Sequence, residues 1–187
     1  MDPRTTPPPE TPRRLLEAQY RESLAAVTEC MFAAADVRPG HSVLDVGTGA
    51  GETALIAAEC VGPTGRVLAT DVSVAAIEGL TAHLRELPKT LPIALEAIAA
   101  ESLALEPSSF DVALARNSVM YFADLPRALA NIRAALRTGG RFIASVYGPL
   151  AHEPFHAIPI AAVRRRCRIV EPYPDYVQAF RVGADVV

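Results

Sequence analysis

The run Asp45-Val46-Gly47-Thr48-Gly49-Ala50-Gly51-Glu52 restricts this chain more than any other stretch. It follows a short apolar segment rich in β-branched residues, His41 to Val46, and leads into helix formers from Glu52 to Cys60. A strand that enters a glycine loop and leaves it as a helix is the opening unit of an open α/β sheet. Glycines at that turn let backbone approach a nucleotide-like ligand at the carboxyl end of the strands. The dinucleotide pattern GxGxxG would need a third glycine at position 52, where this chain has Glu52, so the pattern is GxGxG.

The rest of the chain supplies the sheet that such a loop requires. Leu15 to Ala35 carries Leu16, Tyr20, Leu24, Val27 and Met31 at helical spacing and predicts one long amphipathic helix, closed by Arg38-Pro39-Gly40. Gly62 to Gly65 is a turn, and Arg66 to Thr70 is a second strand ending at Asp71. A helix follows from Ser73 to Leu87 with Ser73 as its N-cap. Strands are expected at Leu91 to Ile98 and Phe110 to Ala115, and a helix from Leu125 to Leu136 with Pro126 in its first turn. Gly139 and Gly140 are read as the stop of that helix, before a fifth strand over Arg141 to Tyr147. Strands alternating with helices imply βαβ units, a mostly parallel sheet and an α/β Rossmann-like three-layer sandwich.

Residues 1–12 hold five of the sixteen prolines and read as a flexible leader, so the folded unit is expected over 13–187 as one domain with its core at 41–148. Beyond Gly148 a helix is expected from Phe155 to Arg168, with at most a poor strand near Tyr176 to Val182. Arg164, Arg165, Arg166 and Arg168 read as a solvated helix face. Eighteen basic against twenty-one acidic groups argue against nucleic acid or an anionic membrane as partner. Cys30, Cys60 and Cys167 form no CxxC pair, and no apolar run is long enough for a membrane span, so a reducing cytoplasm is the expected location.

Charge around the loop narrows the ligand. Asp45 and Glu52 would flank a pyrophosphate with two carboxylates, which is unfavourable, whereas a sulfonium with an ammonium group is attracted to them. S-adenosylmethionine is such a ligand. Asp71 stands 20 residues after Gly51, where a carboxylate at the end of the second strand can accept both ribose hydroxyls. That role suits S-adenosylmethionine and NAD alike.

VLDVGTGAGET at 43–53, VLATDVS at 67–73 and SSFDVALARNSVMYFADLPRALANIRAALRTGGRFIASVYG at 108–148 together resemble the class I S-adenosylmethionine-dependent methyltransferases. The likeness is to the small-molecule group that includes the quinone-biosynthesis enzymes. It implies a sheet order 3-2-1-4-5, with Asp45, Gly47, Thr48, Gly49 and Gly51 at the methionine part of the cofactor. By the same resemblance Asp71 takes the ribose, Val72 lies against the adenine, and Asn117 faces the methionine end and the acceptor. Many relatives carry Gly-Asp-Ala where this chain has Ile98, Ala99, Ala100 and Glu101. Their Asp meets the adenine amino group, so here either Glu101 substitutes for it or adenine is held less firmly. The family's C-terminal strand hairpin is expected to be missing or incomplete here, which would leave strand 141–147 as an apolar edge open to a second copy.

Methyl transfer from a sulfonium is an in-line displacement that needs alignment and a dry pocket rather than a fixed constellation. His152 and His156 are the candidate general bases, with packed or solvent-facing histidines as the competing reading. Pro154 inside HEPFH, with no third ligand in sight, argues against a metal. Tyr20, Tyr121, Tyr147 and Phe155 are candidates for the acceptor pocket. The expected activity is methylation of a small organic molecule. A binding subunit that has lost transfer activity and an NAD-dependent oxidoreductase stand as the alternatives.

Overall fold

The computed structural model describes residues 24–148. Helix α1 occupies 24–35 and buries Thr28, Met31 and Ala35, while Leu24 and Val27 of the expected stripe are half-buried. It ends where Asp36 turns to a φ of 53°. Five strands follow: β1 (Ser42–Val46), β2 (Arg66–Asp71), β3 (Ile93–Ala97), β4 (Phe110–Arg116) and β5 (Leu136–Ser145). They alternate with α2 (Glu52–Val61), α3 (Val74–Glu86) and α4 (Leu125–Ala135). The sheet order is 3-2-1-4-5 and every pairing is parallel, so the strands all end on one side, the side of the glycine loop. β1 lies at the centre with all five residues buried.

Alternation along the strands sorts the core into two faces. Val43, Val67, Ala69 and Leu114 pack with Ala35 of α1 and with Ala54, Ala57, Ala58 and Val61 of α2. Leu44, Val46 and Ala113 pack on the other face with Ala128, Ile132 and Ala135 of α4. The alanine-rich inner side of α2 brings that helix close to the sheet, which keeps its first turn near the ends of β1 and β4. The cap expected at Ser73 forms, its side chain accepting from the Ala76 N–H at 3.2 Å, and α4 is capped by Asp124, which accepts from the Arg127 N–H at 3.0 Å.

The start of β5 departs from the expectation. Instead of a helix stopped by Gly139 and Gly140, α4 ends at Ala135 and Leu136 already pairs with Phe110. Pairing then resumes at Arg141 opposite Val112. The two glycines serve the bulge between these points: Gly139 has a φ of 81°, and a Cβ on Gly140 would lie 2.9 Å from the Arg137 carbonyl oxygen. β5 also stops at Ser145 rather than Tyr147. The leader, the first half of the long helix, the helix after Phe155 and the question of the hairpin all lie outside the described residues. Among those described, no helix is long and apolar enough to cross a membrane, and Cys30 and Cys60 are free thiols.

Candidate functional site

The loop after β1 is folded back over the end of β2. The N–H groups of Gly47 and Thr48 both donate to the Thr70 carbonyl, at 2.8 and 2.9 Å, and the Gly51 N–H donates to the Thr48 carbonyl at 2.9 Å. Two of the glycines are required by close packing as well as by positive φ. A Cβ on Gly47 would stand 2.4 Å from that of Ser118, whose hydroxyl donates to the Val46 carbonyl at 2.7 Å, and one on Gly51 would stand 2.3 Å from Leu80 Cδ1. A Cβ on Gly49 would meet nothing within 4 Å, so space opens directly above the loop.

Asp71 joins this loop to the next one. Its Oδ2 accepts from the Gly49 N–H and its Oδ1 from the Ser73 N–H, both at 2.8 Å. Each oxygen keeps acceptor capacity for a diol. Asp45 is the opposite case, a carboxylate only 1% exposed. Burial pushes it up to about 6, against the pull of the Thr48 hydroxyl and the Arg116 guanidinium, while the charge of Asp71 adds to the rise. Asp45 Oδ2 and the Thr48 hydroxyl are buried with neither completing a well-formed hydrogen bond. Buried polar atoms are ordinarily satisfied, so this pair beside the glycine loop is an exception within the fold.

Two cavities meet above the loop. One, of about 440 Å³, is bounded by Asp71, Val72, Ala99, Ala100 and Glu101. The other, of about 670 Å³, is bounded by Thr48, Gly49, Glu52, His83, Arg116 and Tyr147. Gly47, Asn117 and Tyr121 border both, so a two-part ligand can cross from one to the other over Gly47. Asn117 sits at this junction with a φ of 52°, its N–H donating to the Ser145 carbonyl at 3.0 Å and its Oδ1 accepting from the Ser145 hydroxyl at 2.9 Å. That tie fixes the end of β4 to the end of β5. Behind Glu101, the Asn131 side chain donates to the carbonyls of Ala100 and Glu101 and holds their short 3-10 turn in place. Val72, 74% exposed, presents an apolar side chain at the rim of the smaller cavity.

The structure thus brings Gly47, Thr48, Gly49, Asp71, Val72, Ala99, Ala100, Glu101 and Asn117 around two joined cavities, with Tyr121 and Tyr147 on their walls, while Asp45 and Gly51 belong to the strand and loop beside them and line neither cavity. Tyr20, His152, Phe155 and His156 lie outside the described residues. No cluster of metal-ligating side chains exists among the described residues. Sequence reasoning missed Arg116. Its guanidinium, only 13% exposed, donates to Glu52 Oε2 at 2.6 Å and to the Thr28 hydroxyl at 2.7 Å. The signal was an arginine closing the apolar run Val112 to Ala115. The pairing also revises one step of the charge argument. Glu52 spends its charge on Arg116, so the opposition to a pyrophosphate rests on Asp45.

Comparison with known proteins gives the same direction. The profile described as a methyltransferase domain matches residues 38–172. The demethylmenaquinone methyltransferase of Symbiobacterium thermophilum is 33% identical over 106 residues, covering 57% of this chain and 42% of that protein. Nocamycin O-methyltransferase of Saccharothrix syringae is 37% identical over 107 residues, covering 57% and 38%. The crystal structure of the YcgJ protein from Bacillus subtilis superposes with a TM-score of 0.59 at 26% identity, covering 74% of this chain and 57% of that one. The chain spans about two fifths of the length of the curated relatives it matches.

Proposed function

The chain belongs to the methyltransferase domain family, as a class I S-adenosylmethionine-dependent member, and from that membership we propose that it transfers the methyl group of S-adenosylmethionine to a small organic acceptor. The observation that carries this reading is the pair of joined cavities beside the glycine loop, one bordered by Asp71 and Val72 and the other by Thr48, Gly49 and Glu52. Asp71 would receive the ribose hydroxyls, Val72 would cover the adenine, and Asp45 with Thr48 would take donors from the methionine end. The residues present fit that ligand: Asp45 Oδ2 and the Thr48 hydroxyl are buried atoms in want of donors, and the space above Gly49 is open.

When bound, S-adenosylmethionine supplies a methyl group on a positively charged sulfur, which leaves as a neutral thioether once the acceptor's electron pair has taken the methyl. The protein's share is alignment and exclusion of water. Asp45 favours a cationic ligand, Asn117 and Tyr121 stand where the two cavities join, and Tyr121 and Tyr147 offer apolar surface to an acceptor. His152 and His156 remain our candidates for a general base toward an oxygen or acidic carbon nucleophile. Relatives named for C-methylation of quinones and for O-methylation support a small acceptor of that kind. Two free thiols among the described residues support a reducing cytoplasm, and the place of β5 at the end of the sheet among the described residues supports pairing with a second copy.

Incubation with radiolabelled S-adenosylmethionine and a panel of phenols, quinols and amines tests the reading. Label transfer to one acceptor class is the expected result. Tight cofactor binding without transfer to any acceptor would favour a binding subunit instead.

A further inference from the structure

The function proposed above leaves Arg116 unassigned. It ends β4, yet its side chain reaches two other elements. Nη2 donates to Glu52, the first residue of α2, and Nη1 donates to Thr28 in the middle of α1. The Thr28 hydroxyl gives its own proton to the Leu24 carbonyl at 2.9 Å, so it meets Arg116 purely as an acceptor and the chain of donors is consistent. Leu24, Glu52 and Arg116 all border the larger cavity. A guanidinium is suited to this position because its planar fork can serve two acceptors in fixed directions while remaining charged. The Arg116 side chain is 13% exposed and that of Glu52 38%, so the pair is partly sheltered and screened somewhat less than a fully exposed ion pair.

We infer that Arg116 is a positioning residue, a clasp that draws α1 onto the start of α2 and so forms the wall of the cavity that takes the amino-acid half of S-adenosylmethionine. This rests on the proposed cofactor. The smaller cavity, where the nucleoside half would lie, is bordered by none of the clasp residues. Loss of the clasp therefore weakens the amino-acid half of the ligand and spares the nucleoside half, a separation that general loosening of the fold would not produce.

The test compares Arg116→Met, which keeps the apolar stem, with Thr28→Val, which removes one arm, and Glu52→Gln, which takes the charge from the other and leaves an amide oxygen to accept, neither shortening a side chain. Calorimetry with S-adenosylmethionine and with adenosine gives the affinities, and amide hydrogen exchange of the ligand-free protein reports on residues 24–35. The expected result is a loss of roughly tenfold for S-adenosylmethionine in Arg116→Met, a smaller loss in each single-arm variant, adenosine affinity unchanged, and faster exchange in α1. Arg116→Lys, able to reach one partner at a time, recovers part of the loss. Equal weakening toward both ligands, or unchanged exchange in α1, overturns the clasp. Should the unaltered protein fail to bind S-adenosylmethionine, the proposed function falls, while the exchange rates of α1 still decide whether the clasp exists.

Discussion

Asp45→Asn separates what the buried carboxylate costs the fold from what it does for the ligand. In the folded protein burial carries the Asp45 carboxyl from 3.8 to about 6. At about 1.4 kcal/mol per pH unit, holding this group ionised inside the fold costs about 3 kcal/mol. The folded-state value lies above the unfolded one, so the stability associated with the protonated side chain is fully present below pH 3.8 and is lost as the pH rises through 6. Asparagine has nearly the same shape and no charge to desolvate. Urea denaturation of both proteins from pH 4 to 8 should show the variant gaining on the unaltered protein as the pH rises, by about 3 kcal/mol in all, with a plateau above pH 6. For a domain of this size that is a difference of roughly 6 to 12 °C in midpoint temperature. The same substitution should remove most of the affinity for S-adenosylmethionine. A stability difference that does not change with pH, or one that favours the carboxylate above pH 6, would refute the reasoning.

The remaining predictions follow from the same site. Affinity for S-adenosylmethionine should fall by up to tenfold per pH unit below about pH 6, as Asp45 takes a proton that a cationic ligand must displace; titration calorimetry from pH 5 to 8 checks this. Asp71→Ala removes the acceptor of the Gly49 and Ser73 N–H groups together with the ribose partner, so binding of S-adenosylmethionine and of adenosine should both be lost. Gly47→Ala would force a Cβ to 2.4 Å from Ser118 Cβ, and Ser118→Gly added to it should recover part of the lost stability in thermal unfolding. Ala99→Asp places a carboxylate on the wall of the nucleoside cavity and should tighten adenosine binding by up to roughly tenfold.

The succession of strands and helices was legible in the sequence because it depends on local signals, whereas the sheet order came with the family resemblance. The β-branched run before the glycines, the cap at Ser73 and Pro126 in the first turn of α4 each act within a few residues of chain. The start of β5 was not legible. Gly139 and Gly140 satisfy a helix stop and a bulge equally well, and what selects the bulge is the pairing of Leu136 with Phe110 from a distant strand. Arg116 was missed for the same reason: its partners Thr28 and Glu52 are 88 and 64 residues away in the chain. The partial neutralisation of Glu52 follows from that pairing, and no local pattern announces it.

The central claim is that these two joined cavities hold S-adenosylmethionine. Calorimetric titration of the 187-residue protein with S-adenosylmethionine, its demethylated product S-adenosylhomocysteine, and NADH tests it most directly. The account predicts saturable binding of the first two at one site per chain and none of NADH. Binding of NADH, or no binding of any of the three by a folded sample, would contradict it.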